Sequence, residues 1–318
     1  MKPKLLVITG ATGVGKTELV IKLAQRMSIE IINADIGQMY VPLTIGTAKP
    51  DWRSETTPHH FFDIIDQPVN FSIMSFRDEV EKLVNAIWER GRLPVIVGGS
   101  TFYIKSLFWL PEKNQFRDQE NFEQIVDNLD NYSDKDIWSL LNKIDPYRAQ
   151  QIHPNDHYRL QRALEIWRNT GRKPSEFKLQ FRPISNETDL IILSRSRDDL
   201  YERINARVRI MLEMGWMKEV AGLSQAWRDF LKLKKIIGYD TVVKCLEDGS
   251  LYLTESEIEI ISQSVRNYAK RQMTFWRGLC RDLNLIKNDM QGQIFELNLT
   301  SSDVDLYLNQ ILQKISLE

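Results

Sequence analysis

The stretch that decides the fold is KLLVITGATGVGKT, residues 4–17. Residues 4–9 are an almost unbroken apolar run, the pattern of a strand buried in a sheet. GATGVGKT at 10–17 then fits G-x-x-x-x-G-K-[ST]. In this pattern glycines let the backbone turn its N–H groups inward around phosphate oxygens. Gly10, Ala11, Thr12, Gly13, Val14 and Gly15 are therefore candidates for a diphosphate cradle. Lys16 adds a point charge, and the Thr17 hydroxyl is placed to ligate Mg²⁺. Val20, Leu23, Ala24 and Met27 follow at helical spacing. A helix starting at the loop would point its positive end at the anion.

Working outward, Ile29 to Asn33 predict a second strand and LPVIVGG at 93–99 a third. Residues 41–60 are loop-like, with Pro42, Gly46, Pro50 and Pro58; residues 73–90 predict a helix ended by Gly91. Strands alternating with helices argue for a parallel α/β sheet. After Leu110 the character changes: helical patterns and polar residues dominate 112–185, with no clear strand. Within it, 155–169 reads as a helix with Leu160, Ala163, Leu164 and Trp167 on one stripe, capped by Asn155 or Asp156. DLIILS at 189–194 returns to strand character, and a long helix is expected from about Asp198 to Leu223. The expected architecture is α/β: a P-loop NTPase-like parallel sheet core, residues 1–111 and 187–318 with a helical C-terminal part, and an inserted helical domain at 112–186. A late helix near 303–315 is expected within the otherwise motif-free residues 279–318.

Composition narrows the class. The 318 residues are 42% hydrophobic and 27% charged, ordinary for a globular chain with a real core. Net charge is −1, so any nucleic-acid site must come from local clustering rather than a global basic field. Cys245 and Cys280 fit neither a zinc site nor a disulfide framework. His153 and His157 are four apart, but Pro154 lies between them and no third ligand accompanies them. No run reaches the length of a membrane span, and the apolar stretch after Lys4 is too short for a signal sequence, so the expectation is a cytoplasmic protein with no membrane partner. Nothing demands more than a monomer.

A phosphate cradle alone does not say what happens to the phosphate. Motor ATPases offer a second apolar strand ending in a carboxylate; here LPVIVGG runs into Ser100-Thr101. That leaves small-molecule kinases, nucleotide-gated binding proteins and enzymes that hold a diphosphate as leaving group.

Several further segments then matter together: ADIGQMYVPLTIGTAKP at 34–50, HHFFDIID at 59–66, PVIVGGSTFYIKSL at 94–107, IHPNDHYRLQRALEIWRNTGRKPSE at 152–176, LYERINARVRIMLEMGWMKEV at 200–220, IIGYDTVV at 236–243 and NYAKRQMTFWRG at 267–278. In this order they resemble the bacterial tRNA dimethylallyltransferases, also called isopentenyl-diphosphate:tRNA transferases, over roughly residues 4–278. The resemblance implies transfer of a dimethylallyl group from dimethylallyl diphosphate to N6 of adenosine 37, beside the anticodon, with release of diphosphate. It implies that the P-loop holds the donor with Mg²⁺ and that Asp35 acts on the accepting amine. The family's D-S-x-Q segment reads Asp35-Ile36-Gly37-Gln38 here, so the family's serine contact is absent. Close relatives that use a free nucleotide as acceptor lack a reason for the large insertion and the basic C-terminal segment, which favour tRNA.

Residue by residue, Asp35 is the candidate general base, or else an ordinary helix cap. Gln38 could pair bidentately with an adenine edge, and Ile36 and Gly37 would lie against the base. Thr101 follows the third strand's glycines, where ligands gather in α/β sheets; it either contacts substrate or caps a helix. Arg203 and Arg207 share a helix face and could clamp the diphosphate, with Arg207 favoured, or pair with Asp199 or Glu202 in solvent. The resemblance sets the 159–163 segment, Arg159, Leu160, Gln161, Arg162 and Ala163, against the tRNA anticodon stem-loop. Arg266, Lys270 and Arg271 interleave with aromatics on a basic stretch suited to RNA, and Lys49 is a further phosphate-contact candidate.

Overall fold

The computed structural model describes residues 4–111, 133–286, 291–300 and 304–316. The chain opens with β1 (Leu5–Gly10), α1 (Lys16–Ala24), β2 (Ile29–Asn33), a single turn α2 (Ile36–Met39), β3 (His59–His60), α3 (Ile73–Glu89), β4 (Leu93–Gly98) and α4 (Thr101–Ser106). Then come β5 (Trp109–Pro111), α5 (Asp134–Ile144), α6 (Pro146–Gln150), α7 (His157–Thr170) and β6 (Leu179–Phe181). It continues through β7 (Thr188–Ser194), α8 (Arg197–Glu213), α9 (Trp216–Ala221), α10 (Gln225–Lys234), α11 (Tyr239–Glu247), α12 (Glu255–Leu285), β8 (Ile294–Asn298) and α13 (Val304–Ser316).

The chain divides into two compact units, Phe108–Arg182 and the remainder. In the larger, six parallel strands lie in the order β3-β2-β4-β1-β7-β8. Every residue of β1 and β7 is buried, as an interior parallel strand requires. The register decides the site: Thr9 of β1 pairs with Gly98 of β4, and Asn33 of β2 with Val97 of β4. The P-loop, Asp35 and the Gly99–Thr101 segment therefore leave adjacent strands at one carboxyl edge, with β4 in the middle. Ligands bind at that edge in open α/β sheets.

α12 is 31 residues long and starts at a capping box, in which Thr254 and Glu257 satisfy each other's backbone N–H groups. Its buried stripe, Ile261, Ala269, Gln272, Trp276, Leu279 and Leu283, faces the core. The helix expected to run from Asp198 to Leu223 is two helices. Gly215, at φ 98°, ends α8 and starts α9, because only glycine takes that backbone without strain. Two strands of the larger unit escaped the sequence reading. β3 has only two residues inside loop-like sequence, and β8 is a lone edge strand 104 positions beyond its partner β7 by the Leu190–Ile294 pairing. α13 covers the expected late helix, apart from residue 303, which lies outside the described residues.

In the smaller unit, Leu160, Ala163 and Leu164 of α7 pack with Ile137, Leu141, Ala149 and Ile152 into a separate core. Asp156 caps α7 through the Arg159 N–H, and Gly171 closes it in the left-handed region. This unit also carries an antiparallel pair, β5 with β6, where no strand was expected. Residues 112–132 of the expected insertion lie outside the described residues.

Candidate active site

The P-loop is built largely from its own chain. Gly10, Gly13 and Gly15 take φ values of 149°, 80° and 111°. A Cβ at Gly10 would stand 2.4 Å from the Leu193 carbonyl oxygen, so strand packing alone demands glycine there. Ala11 and Val14 are buried and contribute backbone only. Lys16 folds back to donate to the carbonyls of Gly10 and Ala11, at 3.0 Å each. Thr17 is exposed at the first turn of α1, where backbone N–H groups have no partner within the helix.

Asp35 follows β2 directly. Asn33 fixes its backbone, accepting from the Asp35 N–H at 2.9 Å and donating to the carbonyls of Asp35 and Phe61. The Asp35 side chain caps nothing, although it precedes α2. Burial pushes its carboxyl above the usual carboxylate range, against the opposing pull of Lys16, the Gly37 N–H and Arg207. The same burial lowers the Lys16 ammonium to about 8, with Asp35 pulling it up and Arg207 pushing it down. Between the two lies Gly99: a Cβ built there would be 3.6 Å from Lys16 Nζ and 3.7 Å from an Asp35 carboxylate oxygen. Thr101 opens α4 two residues later. The Ser100 hydroxyl does not cap that helix; it accepts from the Ile36 N–H at 3.0 Å and ties α2 to the end of β4.

Two cavities meet this group. A cleft of about 440 Å³ is lined by Thr12, Asp35, Arg207 and Tyr268 and by apolar side chains such as Trp216 and Phe230. A smaller one of about 40 Å³ is lined by Lys16, Thr17, Asn33, Asp35 and Gln38. Asp35 borders both.

The two arginines of α8 separate in role. Arg207 reaches the larger cleft, and burial lowers its pKa. Arg203 donates to the P-loop carbonyl of Gly13 at 3.0 Å. Neither makes the pairing with Asp199 that the sequence allowed. That carboxylate is taken by Arg195, at 2.7 Å, which also donates to the Val14 carbonyl at 2.8 Å.

Several expected contacts need correction. Lys49 is no phosphate contact: its side chain is 2% exposed, it is ion-paired with Asp63, and it donates to the Tyr40 carbonyl. Arg266 is buried and bonded to Asn205, Glu259 and Gln263, so it braces α8 and α12 rather than facing RNA. Leu160 and Ala163 belong to the core of the smaller unit and present no surface. Gln38 cannot read a base bidentately, because its Nε2 faces the carbonyls of Thr47 and Ala48 at 3.2 and 3.3 Å; only Oε1 is left to accept. Arg159 and Arg162 are exposed and paired with Asp156 and Glu165. Lys270 and Arg271 are exposed on α12, the latter over the ring of Tyr268.

Sequence reasoning missed Gln272, Arg195 and Glu219, and took Tyr268 only as one of the aromatics on an RNA-facing surface, whereas it lines the larger cleft. Gln272 is 1% exposed, accepts from the Thr12 N–H at 2.9 Å and donates to the Gly99 carbonyl at 2.8 Å. The signal was present: it is the one strongly polar, uncharged amide on the buried stripe of α12 named above. Tyr268 titrates high because burial and Asp35 both oppose its ionisation.

A phosphate cradle beside a half-buried carboxylate, at the carboxyl edge of a parallel sheet, defines a P-loop fold with a site suited to a phosphorylated ligand. Comparison with known proteins is more specific. The family described as IPP transferase matches residues 38–279, and the chain belongs to that family. It is 40% identical over 280 residues to a tRNA dimethylallyltransferase of Anoxybacillus flavithermus, covering 87% of this chain and 88% of that one. The full-length tRNA isopentenylpyrophosphate transferase of Bacillus halodurans has a similar structure, with a TM-score of 0.65 and 32% identity over 99% of this chain and 96% of that one. A eukaryotic dimethylallyltransferase solved while acting on tRNA matches with a TM-score of 0.73 and 31% identity, over 99% of this chain and 79% of that one.

Proposed function

We infer that this chain transfers a dimethylallyl group from dimethylallyl diphosphate to N6 of adenosine 37 in tRNA, releasing diphosphate. The observation that carries the reading is Asp35: a half-buried carboxylate beside Lys16 that borders both cavities, so that donor and acceptor could meet at one residue. An adenine amine is a poor nucleophile because its lone pair is delocalised into the ring. Asp35 takes its proton as the bond to the allylic carbon forms. The carbon–oxygen bond to diphosphate breaks, and the charge that grows there is met by P-loop N–H groups, Lys16 and Arg207. Arg203 holds the loop at Gly13 and stands at its rim.

Mg²⁺ fits the residues present. Thr17 borders the smaller cavity with a hydroxyl oxygen, the ligand type a hard cation takes, and diphosphate oxygens and water would complete its shell. Bound there, it would neutralise part of the leaving group's charge.

The base must leave the anticodon-loop stack, at a cost of about a few kcal/mol. The Gln38 Oε1 would then accept from its amine, with Ile36, Gly37 and Thr101 close by. Arg159, Gln161 and Arg162, with Lys270 and Arg271, are the phosphate-contact candidates that remain on the surface, so affinity for tRNA should fall steeply with salt. Among the described residues no helix is long and apolar enough to cross a membrane. We place the reaction in the cytoplasm and the working unit at a monomer.

The test is incubation with radiolabelled dimethylallyl diphosphate and Mg²⁺, without ATP, offering unmodified tRNA or AMP. Label in tRNA alone is expected. Label in AMP alone would make the acceptor a free nucleotide, and no label in either would overturn the reading.

A further inference from the structure

The loop at 43–49 is held by a carboxylate far away in sequence. Glu219 of α9 accepts from three successive backbone N–H groups, those of Thr44 at 2.8 Å, Ile45 at 2.5 Å and Gly46 at 3.3 Å. It also accepts from the Tyr239 hydroxyl at 2.8 Å. Behind it, Trp216 and Tyr239 pack edge to face, and a Cβ at Gly46 would lie 2.1 Å from the Trp216 indole nitrogen. The loop is thus pressed flat on an aromatic floor by one anion. Three consecutive N–H groups form an anion-binding concavity, and here the protein supplies the anion itself.

The far end of the loop is where this matters. Ala48 takes φ 49°, a left-handed backbone that an alanine adopts only under constraint. In that conformation its carbonyl faces two functional side chains, Gln38 Nε2 at 3.3 Å and Arg207 Nη2 at 3.5 Å. The Thr47 carbonyl faces the same Gln38 amide at 3.2 Å. Those carbonyls decide which end of the Gln38 amide is offered to a substrate, and the Ala48 carbonyl gives the half-buried Arg207 a polar neighbour.

We propose that Glu219 is a positioning residue for the transfer: it fixes the 43–49 loop so that Gln38 presents its oxygen to the acceptor base and Arg207 is aimed into the cleft. Glu219 itself borders neither cavity. The substitution Glu219→Gln keeps the volume, removes the charge and turns a donor toward backbone donors. The proposal rests on the transferase reading for its kinetic consequence, but not for its structural one.

The experiment is a double-mutant cycle of Glu219→Gln, Gln38→Ala and the pair, with transfer into unmodified tRNA as readout. Melting temperatures and hydrogen exchange at residues 44–49 accompany it. Each single substitution should lower kcat/KM by about tenfold or more, and the pair should fall no more than about threefold below the weaker single, since residues acting through one contact are not additive. Effects that multiply would overturn the proposal, as would a Glu219→Gln enzyme within about twofold of the parent. Tyr239→Phe, which removes one partner of the same carboxylate, serves if Glu219→Gln fails to fold, and should give a smaller effect with the same non-additivity. Exchange needs no substrate: amides 44–46 should open at least about tenfold faster in Glu219→Gln. Unchanged exchange overturns the clamp even if the parent transfers no label, an outcome that would sink the transferase reading separately.

Discussion

The P-loop at 10–17 and the loop at 43–49 each carry a lysine under carbonyl oxygens, and the two work in opposite ways. Lys16 donates to Gly10 and Ala11, its own loop, and faces the Asp35 carboxylate across the position of Gly99. Lys49 donates to Tyr40 and pairs with Asp63, with both side chains almost wholly inside. One charge is half-buried and poised for an incoming anion; the other has a buried side chain and is already neutralised. The first loop is specified by local glycines, while the second depends on Glu219, Trp216 and Tyr239 from another part of the chain. Two loops on one sheet edge can thus look equally suited to phosphate, and only the partner of the lysine separates them.

The largest expected effect is at the carboxylate between the cavities. Asp35→Asn should cut transfer by about a thousandfold, within the range of general-base loss, with diphosphate affinity largely kept. Normal single-turnover transfer by that variant would remove the base assignment.

The lysine pair can be broken directly. Lys16→Met should lower kcat/KM for the donor by about a hundredfold, as for a lost transition-state contact, and leave the melting temperature unchanged or higher. The sign follows from burial: a lysine held near 8 when folded and higher when unfolded has its charge opposed by the fold at neutral pH. Lys49→Met should instead destabilise the fold by about 1–3 kcal/mol in denaturant titration, because Asp63 loses its buried partner and keeps only Arg53, at 2.7 Å, and the Trp52 indole N–H. Equal stability losses in the two variants would erase the distinction.

pH gives a gentler version of the same test. Diphosphate binding to the free enzyme should weaken as pH rises through about 8, where Lys16 loses its proton. Transfer should also fall on the acid side, at a pH above the ordinary carboxylate range, because burial raises Asp35. A flat alkaline limb in the parent would count against Lys16 as the diphosphate cation.

Gln272→Leu should cost about 1–3 kcal/mol, since it strands the Thr12 N–H and the Gly99 carbonyl. The smallest change is expected on the surface. Arg159→Glu with Arg162→Glu should weaken tRNA binding by severalfold and reduce its salt slope by about one to two, with donor kinetics untouched. A slope identical to the parent's would take those two residues off the RNA.

The residues that could be read without a structure share a property: their chemistry is carried by the backbone or by neighbours a few positions away. GATGVGKT announces its conformation because glycine alone tolerates those torsions, and a buried run such as LLVIT has few alternatives to a parallel strand. Asp35 and Arg207 were legible only through the resemblance to a family, since a single carboxylate or arginine has no local signature. Gln38 was found, but the end of its amide that faces the site depends on two carbonyls nine and ten residues on. Leu160 and Ala163 already lay on the apolar stripe of their helix, the mark of a core face, and only the resemblance had set them against the tRNA. Arg266 and Lys49 looked like surface cations because charge is visible in a sequence and its partner is not.

By itself, then, the sequence determined the phosphate cradle, the parallel sheet and the family, all consequences of local backbone preference, apolar patterning and motif order. Only the tertiary structure decided which cations are free to meet a substrate, that Gln272 ties the P-loop to β4, and that Glu219 holds the loop behind Gln38. Those are questions of partnership between groups up to some 260 residues apart along the chain, by the Thr12–Gln272 bond. A buried polar group takes whatever partner the fold brings to it, and no local rule names that partner in advance.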